Sequence, residues 1–126
     1  MSVSILIVDS NPEIYSPLKA HLDARGYDTR VAQTPEGALE EMGSRPANFV
    51  LVDDHFPRVL SGELLPAMRV LAPFSNGVVR TVFIAISPNF APIDHRRAGF
   101  VYVTRRPFDF DELDLVIAWL CIAGGH

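Results

Sequence analysis

Strand and helix patterns alternate along these 126 residues, and that alternation predicts an α/β chain: a parallel sheet with helices on both faces. Three observations carry the prediction. Residues 3–8 and 49–52 are short, almost unbroken apolar runs, as strands buried on both faces require. Asn11-Pro12-Glu13 and Thr34-Pro35-Glu36 each set a capping residue before a proline, which marks a helix start between such runs. Both apolar runs end in a carboxylate, Asp9 and Asp53, as strands do when their carboxyl ends meet at an acidic pocket.

Residues 3–8 form the first expected strand. Ile14, Leu18 and Leu22 recur every four residues on the helix that follows, with Gly26 as its stop. Pro17 falls inside that helix and is expected to kink or loosen it. Residues 27–32 read as a more polar strand suited to a sheet edge. Ala38, Leu39 and Met42 give the second helix a short apolar stripe that Gly43 ends. Residues 49–52 are the third strand. Ser61 is the expected cap of a helix carrying Leu64, Leu65, Met68 and Leu71, in which Pro66 sits awkwardly. Residues 72–77 read as a loop, 81–86 as the fourth strand, 93–98 as a short fourth helix between prolines, and 100–104 as the fifth strand. Asp109 with Glu112 resembles a capping box, and Leu113, Val116, Ile117 and Leu120 complete the face of a fifth helix.

Residues 1–126 are long enough for one domain, and 48% hydrophobic residues can fill its core. The formal charge of -4, with only two basic doublets (Arg96-Arg97 and Arg105-Arg106), argues against a nucleic-acid surface. No apolar run approaches the roughly 18 residues of a membrane span, and no leader-like segment precedes the first strand. A soluble, reducing, cytoplasmic setting is expected. The one cysteine, Cys121, is flanked by Trp119, Leu120 and Ile122 and reads as a buried, inert thiol. His21, His95 and His126 have no zinc-like spacing. Asp109, Asp111, Glu112 and Asp114 read most simply as acids complementing a helix N-terminus.

In an open parallel sheet, ligands bind outside the carboxyl ends of the strands. Asp9, Asp53, Ser87 and Arg106 stand at such ends and supply the parts of a phosphoryl site. Asp53 is placed to act as nucleophile, becoming an aspartyl phosphate. Asp9 and Asp53 offer oxygen ligands to a divalent cation. Ser87 offers a hydroxyl to a phosphoryl oxygen, or serves only as a turn residue before Pro88. Arg106 offers charge neutralisation, or a standing ion pair with Asp9 or Asp53. Asp9 also suits a cap on the first helix.

The ordered set resembles the receiver domain of two-component response regulators over nearly the whole chain. Residues 5–12, Ile-Leu-Ile-Val-Asp-Ser-Asn-Pro, resemble that family's first strand and acidic turn. Residues 49–53, continuing through Pro57 to Gly62, resemble its phosphoacceptor segment. Ser87 stands where the family has Thr or Ser, and Arg106-Pro107-Phe108 where it has Lys-Pro-Phe. The resemblance implies a flavodoxin-like, doubly wound, five-stranded parallel sheet in the order 2-1-3-4-5. It implies Asp53 as phosphoacceptor, with Ser87 and Arg106 assisting. A magnesium ion would be held by Asp9, Asp53 and the backbone carbonyl of His55. It implies a histidine kinase or phosphotransfer protein as donor. A downstream protein or a second copy would bind through the face built from the fourth helix, fifth strand and fifth helix. A cis Arg106-Pro107 bond is implied as well.

The sequence departs from the family pattern in several places. Ser10 replaces the second acid after the first strand, which weakens magnesium binding. Arg106 replaces lysine with a longer, planar cation. Pro88 stiffens the turn after Ser87. Val103, beside Tyr102, occupies the aromatic switch position, and the segment from Asp53 to Gly62 is one residue longer than usual. Tyr102 and Phe108 read as packing residues. Two readings follow. One is a stand-alone receiver that signals by association when Asp53 is phosphorylated, and is not an enzyme. The other is a phosphorylation-independent pseudo-receiver with Arg106 and Ser10 in place of the usual lysine and second acid. A third, a phosphatase with an aspartyl-phosphate intermediate, needs a general acid beside Asp53, for which Asp54 and His55 are the candidates.

Overall fold

In the computed structural model, which describes residues 3–71, 81–87, 99–105 and 108–123, five parallel strands alternate with helices. They are β1 (Ser4–Val8), β2 (Asp28–Ala32), β3 (Phe49–Asp53), β4 (Val82–Ser87) and β5 (Tyr102–Arg105). The helices are α1 (Pro12–Ala24), α2 (Pro35–Ser44), α3 (Leu64–Val70) and α4 (Phe110–Ala123), the last being the one expected as the fifth. The expected helix at 93–98, the loop at 72–77, Pro88 and the Arg106-Pro107 bond lie outside the described residues. The strand order is β2-β1-β3-β4-β5, with β2 at one edge.

Alternation along the buried strands splits the core into two layers, because successive side chains point to opposite faces. Leu6, Val8, Val50, Val52, Phe83 and Ala85 pack with Ala38 and Met42 of α2 and Leu64, Leu65 and Met68 of α3. Ile5, Ile7, Phe49, Leu51, Ile84 and Ile86 pack with Leu18 and Leu22 of α1 and Leu113 and Ile117 of α4. Full burial of one such side chain is worth about 1.5–3 kcal/mol, so the apolar face of each helix determines which side of the sheet it covers.

The helix starts follow local chemistry. The side chain of Asn11 accepts from Glu13 N at 3.0 Å, and that of Thr34 from Gly37 N at 3.0 Å. Asp109 Oδ1 accepts from Glu112 N at 3.1 Å, but the Glu112 carboxylate does not close a capping box; it accepts from the Tyr102 hydroxyl instead.

Several sequence expectations are corrected. α1 runs unbroken through Pro17, which lies on the exposed face together with Glu13, so the carbonyl that loses its partner can be hydrated. α2 continues through Gly43 to Ser44. Ser61 does not cap α3: Glu63 precedes the helix without a side-chain bond, and the amides of Glu63 and Leu64 donate to Arg58 O at 3.1 and 2.9 Å. Those backbone bonds come from the turn in which Arg58 (φ 68°) and Gly62 (φ 79°) are left-handed, so no hydroxyl is needed. Pro66 is not awkward there, because it sits in the first turn, where amides lack helical partners anyway. Cys121 is only partly buried, but burial still pushes its thiol pKa up, away from the reactive range.

Long-range polar contacts tie the layers together. Arg30 on β2 donates to the Glu41 carboxylate at 2.9 Å and to the carbonyl of Arg45 at 2.6 Å, fastening the edge strand to the end of α2. On the other face, Asp114 of α4 meets His21 at 2.8 Å and Arg25 at 2.7 Å, both at the end of α1. The His21 ring stacks on Phe110 at 4.3 Å.

Candidate functional site at the carboxyl ends of the strands

The site begins with strand register. Val8 of β1 pairs with Val52 of β3, so Asp9 and Asp53, the next residues, leave adjacent strands side by side. Asp53 in turn pairs with Ile86 of β4, which puts Ser87 one residue further along the neighbouring strand. Ser87 pairs with Arg105 of β5, the residue before Arg106. The register therefore brings Asp9, Asp53 and Ser87 to one rim of the sheet. Arg106 lies outside the described residues.

Local turns set the carboxylates. Asp9 is only 1% exposed, and its Oδ1 accepts from Asn11 N at 2.8 Å. Asp9 thus shapes the turn into α1 but does not cap the helix; Asn11 does. Asp53 is half-buried, and its Oδ1 accepts from His55 N at 2.9 Å in the same kind of turn. Neighbouring strands stand about 4.8 Å apart, so two carboxylates emerging side by side from them repel each other unless a positive charge is close. Ser10 is exposed and adds no charge. Ser87 is buried beside them.

Asp54 and His55 differ from each other. Asp54 is fully buried, and its Oδ1 lies 3.6 Å from Nε2 of His55, whose own side chain is about half exposed. Of the two candidates for a general acid, only His55 faces solvent. Among the described residues, no three His, Cys, Asp or Glu side chains form a metal-holding group. The anticipated set of two carboxylates and one backbone carbonyl needs no third such side chain.

Val103 packs against the α2/α3 layer, and Tyr102 and Phe108 against the α1/α4 layer. The fold also assembles a His21–Asp114–Arg25 cluster between α1 and α4. Its members are 93 residues apart in the chain for one pair, and no local spacing announces them. By sequence alone Asp114 is one of several helix-start acids.

No family model matches the chain. Two curated relatives align along most of it. The nitrogen assimilation regulatory protein NtrX of Azorhizobium caulinodans is 28% identical over 125 residues, 92% of this chain and 25% of the relative. The transcriptional regulatory protein KdpE of Mycobacterium tuberculosis is 31% identical over 110 residues, 86% of this chain and 46% of the relative. The chain thus spans between a quarter and a half of these relatives' lengths. Among solved structures, a CheY-like receiver domain protein from Methanospirillum hungatei superposes with a TM-score of 0.81 at 22% identity, over 99% of this chain and 98% of the other. The receiver domain of Ssk1, solved with the histidine phosphotransfer protein Ypd1 of Saccharomyces cerevisiae, superposes at 0.71 with 13% identity, over 90% and 84%. Among the described residues, no helix is long and apolar enough to cross a membrane. Strand order, the acid-ended strands and these alignments agree: the chain has the fold of response-regulator receiver domains and is similar in sequence to response regulators.

Proposed function

We propose that the chain is a phosphoryl-accepting switch that works in the cytoplasm. A carboxylate oxygen of Asp53 attacks the phosphorus of a phosphohistidine on a kinase or phosphotransfer protein. The N–P bond breaks and the donor imidazole leaves. The observation that carries this reading is the register that sets Asp9 beside Asp53, with Ser87 on the next strand. Two adjacent carboxylates, one of them buried, suit a hard divalent cation with oxygen ligands. Asp9, Asp53 and the His55 carbonyl would hold magnesium, weakly because Ser10 supplies no charge. The ion would neutralise the incoming phosphoryl oxygens. Ser87 would donate its hydroxyl to one of them, and Arg106 would balance the added charge. A receiver domain of this fold binds a histidine phosphotransfer protein in the Ssk1–Ypd1 co-crystal, which supports a partner of that kind. The added charge would bias the β5/α4 face toward a downstream protein or a second copy.

The test is incubation with acetyl phosphate and magnesium, followed by intact mass. A single phosphoryl increment in the wild type, absent from Asp53→Asn, is the expected result. A wild type that stays unmodified, while a known receiver domain reacts beside it, overturns the reading.

A second reading is favoured by Ser10, an exposed hydroxyl where the resemblance implies a second acid. In it the fold persists as a phosphorylation-independent interaction module and Arg106 occupies the charge site. Calorimetric titration with no saturable magnesium binding in the millimolar range would select it.

A further inference from the structure

Among the described residues, Arg58 is the one residue other than glycine with a left-handed backbone (φ 68°). Glycine and asparagine adopt that conformation readily, whereas a bulky side chain is strained in it. The turn explains the conformation, because the Arg58 carbonyl accepts from the amides of Glu63 and Leu64 at 3.1 and 2.9 Å. It does not explain the arginine, since any residue supplies that carbonyl. The guanidinium Nη2 stands 3.2 Å from Oε1 of Glu36, in the first turn of α2, and the two side chains are 49% and 70% exposed. An ion pair so open to water returns less stability than the strain removes. Stability therefore does not account for Arg58, and strain of this kind gathers at functional sites.

Its place in the fold is the rim of the sheet. Glu36 follows β2, Arg58 follows β3, and β1, with Asp9 at its end, lies between those strands. The pair thus bridges the loops on either side of Asp9. Two successive turns fold the second loop back on the rim: Phe56 N donates to Asp53 O at 2.9 Å, and Val59 N to Phe56 O at 3.1 Å. Phe56 and Val59 are buried in the α2/α3 layer and anchor the loop there.

We propose that Arg58 is a second phosphoryl-binding cation, restrained by Glu36: when Asp53 is phosphorylated, the guanidinium leaves Glu36 for the phosphoryl oxygens. This deepens the proposed function and rests on it. A phosphoryl group carries roughly two negative charges against the single charge of Glu36, and its oxygens accept two parallel hydrogen bonds from a planar guanidinium. The need for positive charge is local, because Asp9, Asp53 and Asp54 crowd this rim with carboxylates. A pair as weakly held as Arg58–Glu36 is also easily broken, so the exchange needs only a side-chain movement.

Calorimetric titration with beryllium trifluoride, a phosphoryl mimic, in saturating magnesium tests the proposal. Arg58→Asn suits the left-handed turn and should weaken binding about fivefold, the scale of one exposed charge contact. Glu36→Gln should tighten binding about twofold by releasing the arginine. The double variant should match Arg58→Asn alone. Urea midpoints separate this from a structural role: in Arg58→Asn the midpoint should hold or rise while affinity falls. Binding in the wild type that is unchanged in Arg58→Asn overturns this inference alone. So does a gain from Glu36→Gln that persists without Arg58, which would reflect only the loss of a nearby negative charge. A midpoint that drops together with affinity makes Arg58 a structural residue and equally overturns it. A wild type that neither binds the mimic nor takes a phosphoryl group from acetyl phosphate overturns the Asp53 reading itself, and this inference with it.

Discussion

At the scale of single residues, short-range chemistry sets both the turns and the titration behaviour. Asn11 caps α1 through one side-chain bond. Asn11→Ala should lower stability by about 1 kcal/mol in urea unfolding, the usual cost of a lost cap. Tyr27 shows how burial acts on a group far from the rim. Desolvation, then the nearby Cys121 and Asp114, raise its pKa above the ordinary 10.0, against a smaller lowering by Arg25. Cys121 is raised above 9.0 by burial alone. In both, the folded state holds the proton longer than the unfolded one. Their stabilising effect is therefore complete below the unfolded pKa and is lost as pH rises through the folded value. Stability should fall from about pH 9 upward, and Tyr27→Phe should flatten the part of that decline above pH 10. Urea midpoints measured between pH 8 and 11 check this; an unchanged alkaline slope in Tyr27→Phe would remove Tyr27 from the account.

At the scale of elements, two contacts decide how the helices sit. Leu18 fills the layer between α1 and the sheet and is fully buried. Leu18→Ala should cost about 2–5 kcal/mol, because the rigid strands behind it cannot close the cavity. Asp114 joins α4 to α1 through His21 and Arg25, in a setting that is only partly buried. Asp114→Ala should cost on the order of 1 kcal/mol. The loss should shrink at high salt, since water and ions screen part of the pairing. Thermal melts at low and high salt distinguish this from a packing defect, which salt would not relieve. α3 carries a different lesson. Its start depends on backbone bonds to Arg58, so Ser61→Ala should leave the melting temperature unchanged.

At the scale of the whole molecule, strand order converts separate chain segments into one rim. A ligand held there couples to folding, because the unfolded chain does not bring positions 9 and 53 together. Magnesium at about ten times its dissociation constant should therefore add roughly 1.4 kcal/mol to unfolding free energy. Asp9→Asn should abolish that increment while leaving the fold intact. Denaturation with and without magnesium provides the measurement, and an equal response in wild type and Asp9→Asn would show that the ion binds elsewhere.

The sequence by itself determined the elements that rest on local or periodic signals. The apolar runs, the Asn11 and Thr34 caps and the 3.6-residue rows of α1 and α4 are legible because each is a statement about neighbours within about one or two turns of chain. The family pattern likewise marked Asp9, Asp53 and Ser87 before any register was known. Only the tertiary structure decided what depends on residues distant in the chain. Asp114 is bound to α1 and is more than a dipole acid; Glu112 answers Tyr102 and not its own helix cap; and Asp54 is sealed inside while His55 faces water. It also left the outer row of α4, Leu115, Trp119 and Ile122, uncovered. That row is as apolar in sequence as the inner one, and periodicity cannot say which row meets the sheet: burial follows from packing against partners that only the fold assembles.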